Sequence, residues 1–280
     1  MHPFVAASTW SQAQQDPVDP PQPSSPATFA TRIEPPWFQG KGAYGGLLCA
    51  GIVRAMMSVV NNPRRRPRTL HVHFCAPAKA GALALDVVVE RAGTGISTLS
   101  ARATQNGAAV CVASATFAEP RPRTDDNLRY VKLTMPDAPR CDDAPVAPKD
   151  IPLLPAFTQF FDYRFCLGDA PYSSSTRPLI GGWLRFHEPL VVDAPALAAL
   201  VDAYPPALLP MLSEPRGASS VDLTMEFLVD TPHASLLPEQ HVLVVQTSRV
   251  GDGGITDERC ELWCEDGTLL ATGRQLVALL

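Results

Sequence analysis

Tyr44-Gly-Gly-Leu-Leu-Cys-Ala-Gly-Ile-Val-Arg-Ala-Met-Met-Ser-Val-Val60 contains two strongly polar residues, Arg54 and Ser58. They stand four apart, so on a helix they share one narrow stripe and leave the rest of the surface apolar. A helix that is apolar nearly all round must be covered on several sides. With a charge near its middle, the stretch does not read as a membrane span. Four stretches of alternating polarity follow it, and a curved antiparallel sheet wrapped around the helix is the simplest way to cover it.

The first of these strands runs from Thr69 to Cys75, with Leu70, Val72 and Phe74 on one face and His71 and His73 on the other. Two histidines at i and i+2 can bind a metal, but no third ligand lies close, so they read as polar-face residues. Leu83 to Arg91 points Leu83, Leu85, Val87 and Val89 inward. The next strand does the same with Leu99, Ala101 and Ala103, and the last with Ala109, Cys111, Ala113, Ala115 and Phe117. Asn106-Gly107 marks a tight hairpin between the last two. Small inward residues there let the helix press close. One helix followed by antiparallel strands fits a hotdog-like roll.

The flanks divide the chain. Asp16-Pro-Val-Asp-Pro-Pro-Gln-Pro-Ser-Ser-Pro26 excludes regular structure, and residues 1–28 are expected to be an extended or disordered leader. A short edge strand is expected over 33–38. Residues 119–155, again rich in Pro, Asp and Arg, read as a linker between one unit at 29–118 and another at 156–280. The second unit repeats the first. Strands are expected at 157–165, 183–186, 220–227, 241–249, 259–265 and 268–279, with a helix from Pro195 to Tyr204 capped by Asp193 and stopped by Pro205-Pro206. Asp266-Gly267 parallels Asn106-Gly107. The recurring order indicates an internal duplication, and the expected class is α+β: a tandem (double) hotdog with two antiparallel sheets, each wrapped around a central helix.

Composition narrows the function. The 280 residues carry a formal net charge of −5, and 18% are charged, so nothing calls for nucleic acid or an anionic membrane. The arginine cluster Arg64-Arg65-Arg66-Pro67-Arg68 reads as a solvated loop, with phosphate contact as the alternative. Neither a signal peptide nor a membrane-spanning run is seen. The seven scattered cysteines read as reduced core thiols, consistent with a cytoplasmic protein.

Several pieces in sequence order resemble the acyl-CoA thioesterase II family, whose members carry two hotdog units in one chain. They are Gly45-Gly46 opening the first helix, His73-Phe74-Cys75-Ala76-Pro77, Gly182-Trp183-Leu184-Arg185, and Val201-Asp202-Ala203. Ser220-Val221-Asp222-Leu223-Thr224-Met225-Glu226-Phe227 and Asp266-Gly267 running on to Arg274-Gln275 complete the set. The resemblance implies an acyl-CoA substrate and hydrolysis of its thioester by one activated water, with no metal or redox cofactor. It also implies a catalytic set at Asp202, Ser220 and Gln275, with serine standing where the family has threonine. Gly45-Gly46 would bring backbone N–H groups close to the thioester carbonyl. Hotdog sheets often pair edge to edge, so a homo-oligomer is expected.

The residues bear on those roles separately. Asp202 is the single charge in an otherwise apolar helical stretch, costly if buried; its alternative is a helix-end carboxylate facing water. By alternation Ser220 lies opposite Val221, Leu223, Met225 and Phe227, pointing away from the core like an ordinary polar sheet face, and Gln275 reads equally as a surface amide. Asp222 is the reserve acid–base residue. A covalent route lacks a Gly-x-Ser-x-Gly context, and hydratase chemistry lacks a histidine on the second helix. A non-catalytic acyl-binding hotdog stays open. Acyl-chain preference would depend on side chains such as Met56, Met57, Phe160 and Leu208.

Overall fold

In a computed structural model describing residues 1–13, 25–121, 130–148 and 154–280, the apolar stretch forms helix α2 (Gly45–Val60), preceded by a short helix α1 (Pro3–Ser8). Leu47, Ile52, Val53 and Met56 are fully buried, each contributing about 1.5–3 kcal/mol of transfer free energy. Arg54 reaches Asp193, the N-cap of the second half's helix, at 3.4 Å. Asn61, in the left-handed conformation, ends α2.

Strands β1 (Ser11–Gln12), β2 (Ala27–Ile33), β3 (Phe38–Gln39) and β4 (Gly42–Ala43) flank α2 on its N-terminal side. Four strands follow it: β5 (Arg66–Phe74), β6 (Gly81–Ala92), β7 (Ile96–Gln105) and β8 (Ala108–Ala118). The second half supplies β9 (Phe161–Gly168), β10 (Leu179–Phe186), helix α3 (Ala194–Val201), β11 (Ala218–Phe227), β12 (Val242–Asp252), β13 (Ile255–Trp263) and β14 (Leu269–Leu279). The strand order is β1-β2-β6-β7-β8-β5-β11-β14-β13-β12-β10-β9. Each half repeats the other outward from the central β5–β11 pair, as the duplication requires. The expected two sheets are therefore two half-sheets fused through that pair, which runs from Asp222↔His73 to Glu226↔Thr69. α2 and α3 lie side by side within the curve. Gly273 lets α3 approach β14, because a Cβ there would stand 2.5 Å from Val201 Cγ1.

Several expectations are corrected. The leader is not loose at its start: Phe4 is 0% exposed and packs on Trp37 and Phe186, and Trp10 lies against Gly51 of α2. Large apolar side chains there outweigh the unfavourable composition that follows; most of the Asp16–Pro26 run lies outside the described residues. The edge strand expected at 33–38 ends at Ile33, because Pro35-Pro36 favours the 3-10 turn Pro35–Trp37. A second 3-10 turn, Ala156–Phe160, replaces the start of the strand expected from Phe157. Within the linker, residues 135–144 cover Trp183, Leu243 and Trp263 on the outer face of the second half-sheet, with Trp183 Nε1 donating to the Pro139 carbonyl at 2.9 Å. The arginine cluster makes intramolecular contacts: Arg65 with Glu119, Ser97 and the Gly93 carbonyl, and Arg66 and Arg68 with Asp230. Every cysteine is a free thiol, and Cys49, Cys111, Cys260 and Cys264 are buried. Among the described residues, no helix is long and apolar enough to cross a membrane.

Candidate active site

Helix α3 starts where Asp193 Oδ1 accepts the Ala196 N–H at 2.9 Å. It ends at Val201, earlier than the sequence suggests, leaving Asp202 as its C-cap. The C-terminal end of a helix carries partial negative charge, an unfavourable seat for a carboxylate. The N-terminus of α2 offsets it. The Gly46 backbone N–H faces the Asp202 carboxylate, and a Cβ on Gly45 would stand 2.7 Å from Asp202 Oδ2. The two glycines expected to serve the substrate carbonyl thus lie against the carboxylate itself. Tyr44, the N-cap residue of α2, donates its hydroxyl to the Ala199 carbonyl and locks the two helices together.

Gln275 on β14 and Ser220 on β11 complete the group. Gln275 Nε2 donates to Asp202 Oδ1 at 2.8 Å, and Ser220 Oγ donates to Gln275 Oε1 at 2.5 Å. The outward orientation expected for Ser220 is overturned. A β-bulge shifts the β11–β14 register between Ser220 and Asp222, so Ser220 stands opposite the buried Val277 and faces inward, whereas Val221 is 38% exposed. One extra residue reverses the phase of the alternation. Asp222, the reserve candidate, lies beside the bulge and outside the cleft's lining, with its Oδ1 accepting the Leu276 N–H at 2.9 Å.

Asp202 is 9% exposed and Gln275 is 7% exposed. Burial pushes the Asp202 carboxyl from its ordinary 3.8 to about 7, while the Gln275 side chain and the Gly46 N–H pull the other way. Desolvation dominates. The neighbouring Cys49 and Cys260 thiols are pushed up by burial and by Asp202, which keeps them protonated.

The group opens into a cleft with four further polar residues in its wall. Gln39, Tyr204, Gln246 and Glu258 line it beside Asp202, Ser220 and Gln275. Glu258 is 3% exposed. It accepts the Ala207 N–H at 2.7 Å, the Leu208 N–H at 3.3 Å and the Thr256 hydroxyl at 3.0 Å, and burial raises its pKa. It alternates with the buried Cys260 and Leu262 along β13, a signal available once that strand is extended upstream of Arg259. Gln246 donates to the Val201 carbonyl at 3.3 Å.

The arrangement holds a carboxylate at the edge of ionisation, oriented by an amide that is itself fixed by a hydroxyl. Such a group can take a proton from a water near neutral pH. Residues 33–118 match a family model described as the acyl-CoA thioesterase N-terminal domain, and residues 136–279 match that of the C-terminal domain. No curated protein sequence matches the chain. Among solved structures, the chain resembles a conserved protein of unknown function with a hot dog fold from Alicyclobacillus acidocaldarius. That match has TM-score 0.81 and 26% identity, covering 100% of this chain and 98% of the other. An acyl-CoA thioesterase II, TesB2, from Mycobacterium marinum matches with TM-score 0.74 and 20% identity over 99% of this chain and 98% of its own. The tesB protein of Mycobacterium avium subspecies paratuberculosis shares the fold at TM-score 0.75 and 15% identity, over 99% of this chain and 98% of its own.

Proposed function

The chain belongs to the acyl-CoA thioesterase family, and from that premise we propose that Asp202, Ser220 and Gln275 hydrolyse an acyl-CoA thioester with one activated water. The observation that carries this reading is the hydrogen-bonded run Ser220–Gln275–Asp202 ending on a buried carboxyl near neutral pKa. Asp202 takes a proton from the water as its oxygen adds to the thioester carbonyl. The tetrahedral intermediate then expels the CoA sulfur, which recovers that proton, giving a free acid and CoA thiol. Ser220, whose O–H donates a hydrogen bond to Gln275, offers its lone pairs to the water and fixes the line of attack. Gln275 holds the carboxylate and favours its charged form.

Thiol release from acyl-CoA thioesters by the intact protein tests the reading, with Ser220→Ala and Gln275→Ala alongside. Losing the Ser220 hydroxyl removes one hydrogen bond of about 0.5–1.5 kcal/mol, so kcat should fall roughly 2- to 10-fold with KM little changed. Gln275→Ala strips Asp202 of its side-chain donor, which should lower kcat further and move the rising limb of the pH profile to higher pH. Rates that do not respond to either substitution would place the water elsewhere. Acyl-CoA binding without thiol release would identify a non-catalytic member of the fold.

A further inference from the structure

Helix α3 ends at Val201, and the chain from Asp202 to Leu208 forms neither helix nor strand. Buried peptide groups in such a segment need partners from elsewhere. Three strands supply them. Gln246 on β12 donates to the Val201 carbonyl at 3.3 Å, and Tyr163 on β9 donates to the Ala203 carbonyl at 3.0 Å. Glu258 on β13 accepts the Ala207 N–H at 2.7 Å and the Leu208 N–H at 3.3 Å. Pro205-Pro206 lies between, and its two locked φ angles pass the position of Ala207 back towards Asp202 with little slack. A carboxylate is an expensive anchor for this purpose. Glu258 is 3% exposed, and its three bonds come from neutral groups: the two N–H groups and the Thr256 hydroxyl at 3.0 Å. A buried charge held without a cation breaks the usual rule for a protein interior, and such departures gather at functional sites.

We propose that Glu258 is a positioning residue: its carboxylate fixes the segment after α3, and through it Asp202, against Gln275 and the water to be activated. This rests on the hydrolytic reading of Asp202. Glu258 and Asp202 share the wall of one small cavity, with room for a single water at about 10 Å³. In so small a space a shift of about 1 Å takes the Asp202 carboxylate out of line, and misplacement of that order can lower a rate by about 10²-fold. Glu258 is not itself a second base. Its Oε1 is taken by Leu208 and Thr256 and its Oε2 by Ala207, so it holds the backbone and leaves the proton to Asp202.

The test is kcat and KM for thiol release from acetyl-, octanoyl- and palmitoyl-CoA, at a temperature well below every variant's Tm. Glu258→Gln keeps the shape but can accept only one of the two N–H groups through its carbonyl; kcat should fall roughly 10- to 100-fold with KM little changed. Thr256→Val, which removes one of the bonds to Glu258, should lower kcat about 2- to 10-fold. Trp183→Phe, which loses the bond to Pro139 on the outer face of the second half-sheet, should lower Tm and keep the wild-type kcat. In an Asp202→Asn background, Glu258→Gln should lower kcat no further, because its effect runs through Asp202. Wild-type kcat in both Glu258→Gln and Thr256→Val, or a Glu258→Gln loss that adds in full to that of Asp202→Asn, overturns the proposal and leaves the hydrolytic reading standing. If Glu258→Gln does not fold, Thr256→Val decides by itself. No thiol release by the wild type from any of the three overturns both.

Discussion

Asp202→Asn is expected to lower kcat by about 10²- to 10⁴-fold, the usual worth of a positioned general base, while the protein stays folded. The substitution keeps the shape and one acceptor oxygen for Gln275 and removes the proton acceptor. Wild-type kcat/KM should rise with pH through a midpoint near 7, because the base works only when ionised and burial has moved its pKa to about 7. The same displacement has a stability consequence of definite sign. The folded-state pKa is raised above the ordinary 3.8, so the protonated form favours folding; that contribution is complete below pH 4 and is lost as pH rises through 7. At roughly 1.4 kcal/mol per pKa unit, the loss is on the order of a few kcal/mol. Melting temperatures of the wild type and Asp202→Asn compared at pH 5 and pH 8 should show the wild type losing ground to the variant at the higher pH. A gap that does not change with pH would mean that Asp202 does not titrate in this range.

Gly46→Ala is expected to damage both stability and turnover, although alanine is the better helix former by about 1 kcal/mol. The added Cβ would stand 2.3 Å from the Tyr44 hydroxyl oxygen and 2.8 Å from the Ala199 carbonyl oxygen. The first belongs to a buried ring stacked on Phe157 and bonded to Ala199; the second is fixed backbone of α3. Either the helices part or Tyr44 gives up its bond, and overpacking of this kind costs about 1–3 kcal/mol. For a chain of this size that is a drop of several degrees in Tm, at about 2–4 °C per kcal/mol. The Gly46 N–H also moves away from Asp202, so its pKa should climb and the rising limb of the pH profile should shift upwards. Gly95→Ala is the control, since a Cβ at Gly95 meets nothing within 4 Å. Equal melting temperatures for the two variants would show that α2 and α3 are not held at this contact.

Much of the fold is visible in side-chain periodicity. The apolar helix, the inward residues of β6 to β8, the Asn106-Gly107 hairpin with both residues at positive φ, and the Asp193 cap all follow from local chemistry acting over a few residues. The duplication is legible for the same reason, since it repeats those local signals in order. The site is less so. Only the family resemblance singles out Asp202, Gln275 and Ser220, because nothing local distinguishes a buried helix-end carboxylate from a solvated one. Alternation points Ser220 the wrong way, since a bulge leaves no mark in a sequence of ordinary residues. Glu258 hid in the charged run Thr256-Asp257-Glu258-Arg259, where only long-range pairing decides which charge turns inward. The burial of Phe4 and Trp10 depends on a surface built by residues far along the chain, so local composition misjudged that segment.

The pairing of β5 with β11 bears on how the protein would behave if it were made in two pieces. Cut between Ala118 and Tyr130, it would yield one fragment carrying Gly46 and another carrying Asp202, Ser220 and Gln275. Each would expose an unpaired strand edge where the other belongs. Neither would own a complete site, so turnover should appear only on mixing and should vanish on dilution, as for any dissociable pair. In the intact chain, the covalent connection makes that association independent of concentration.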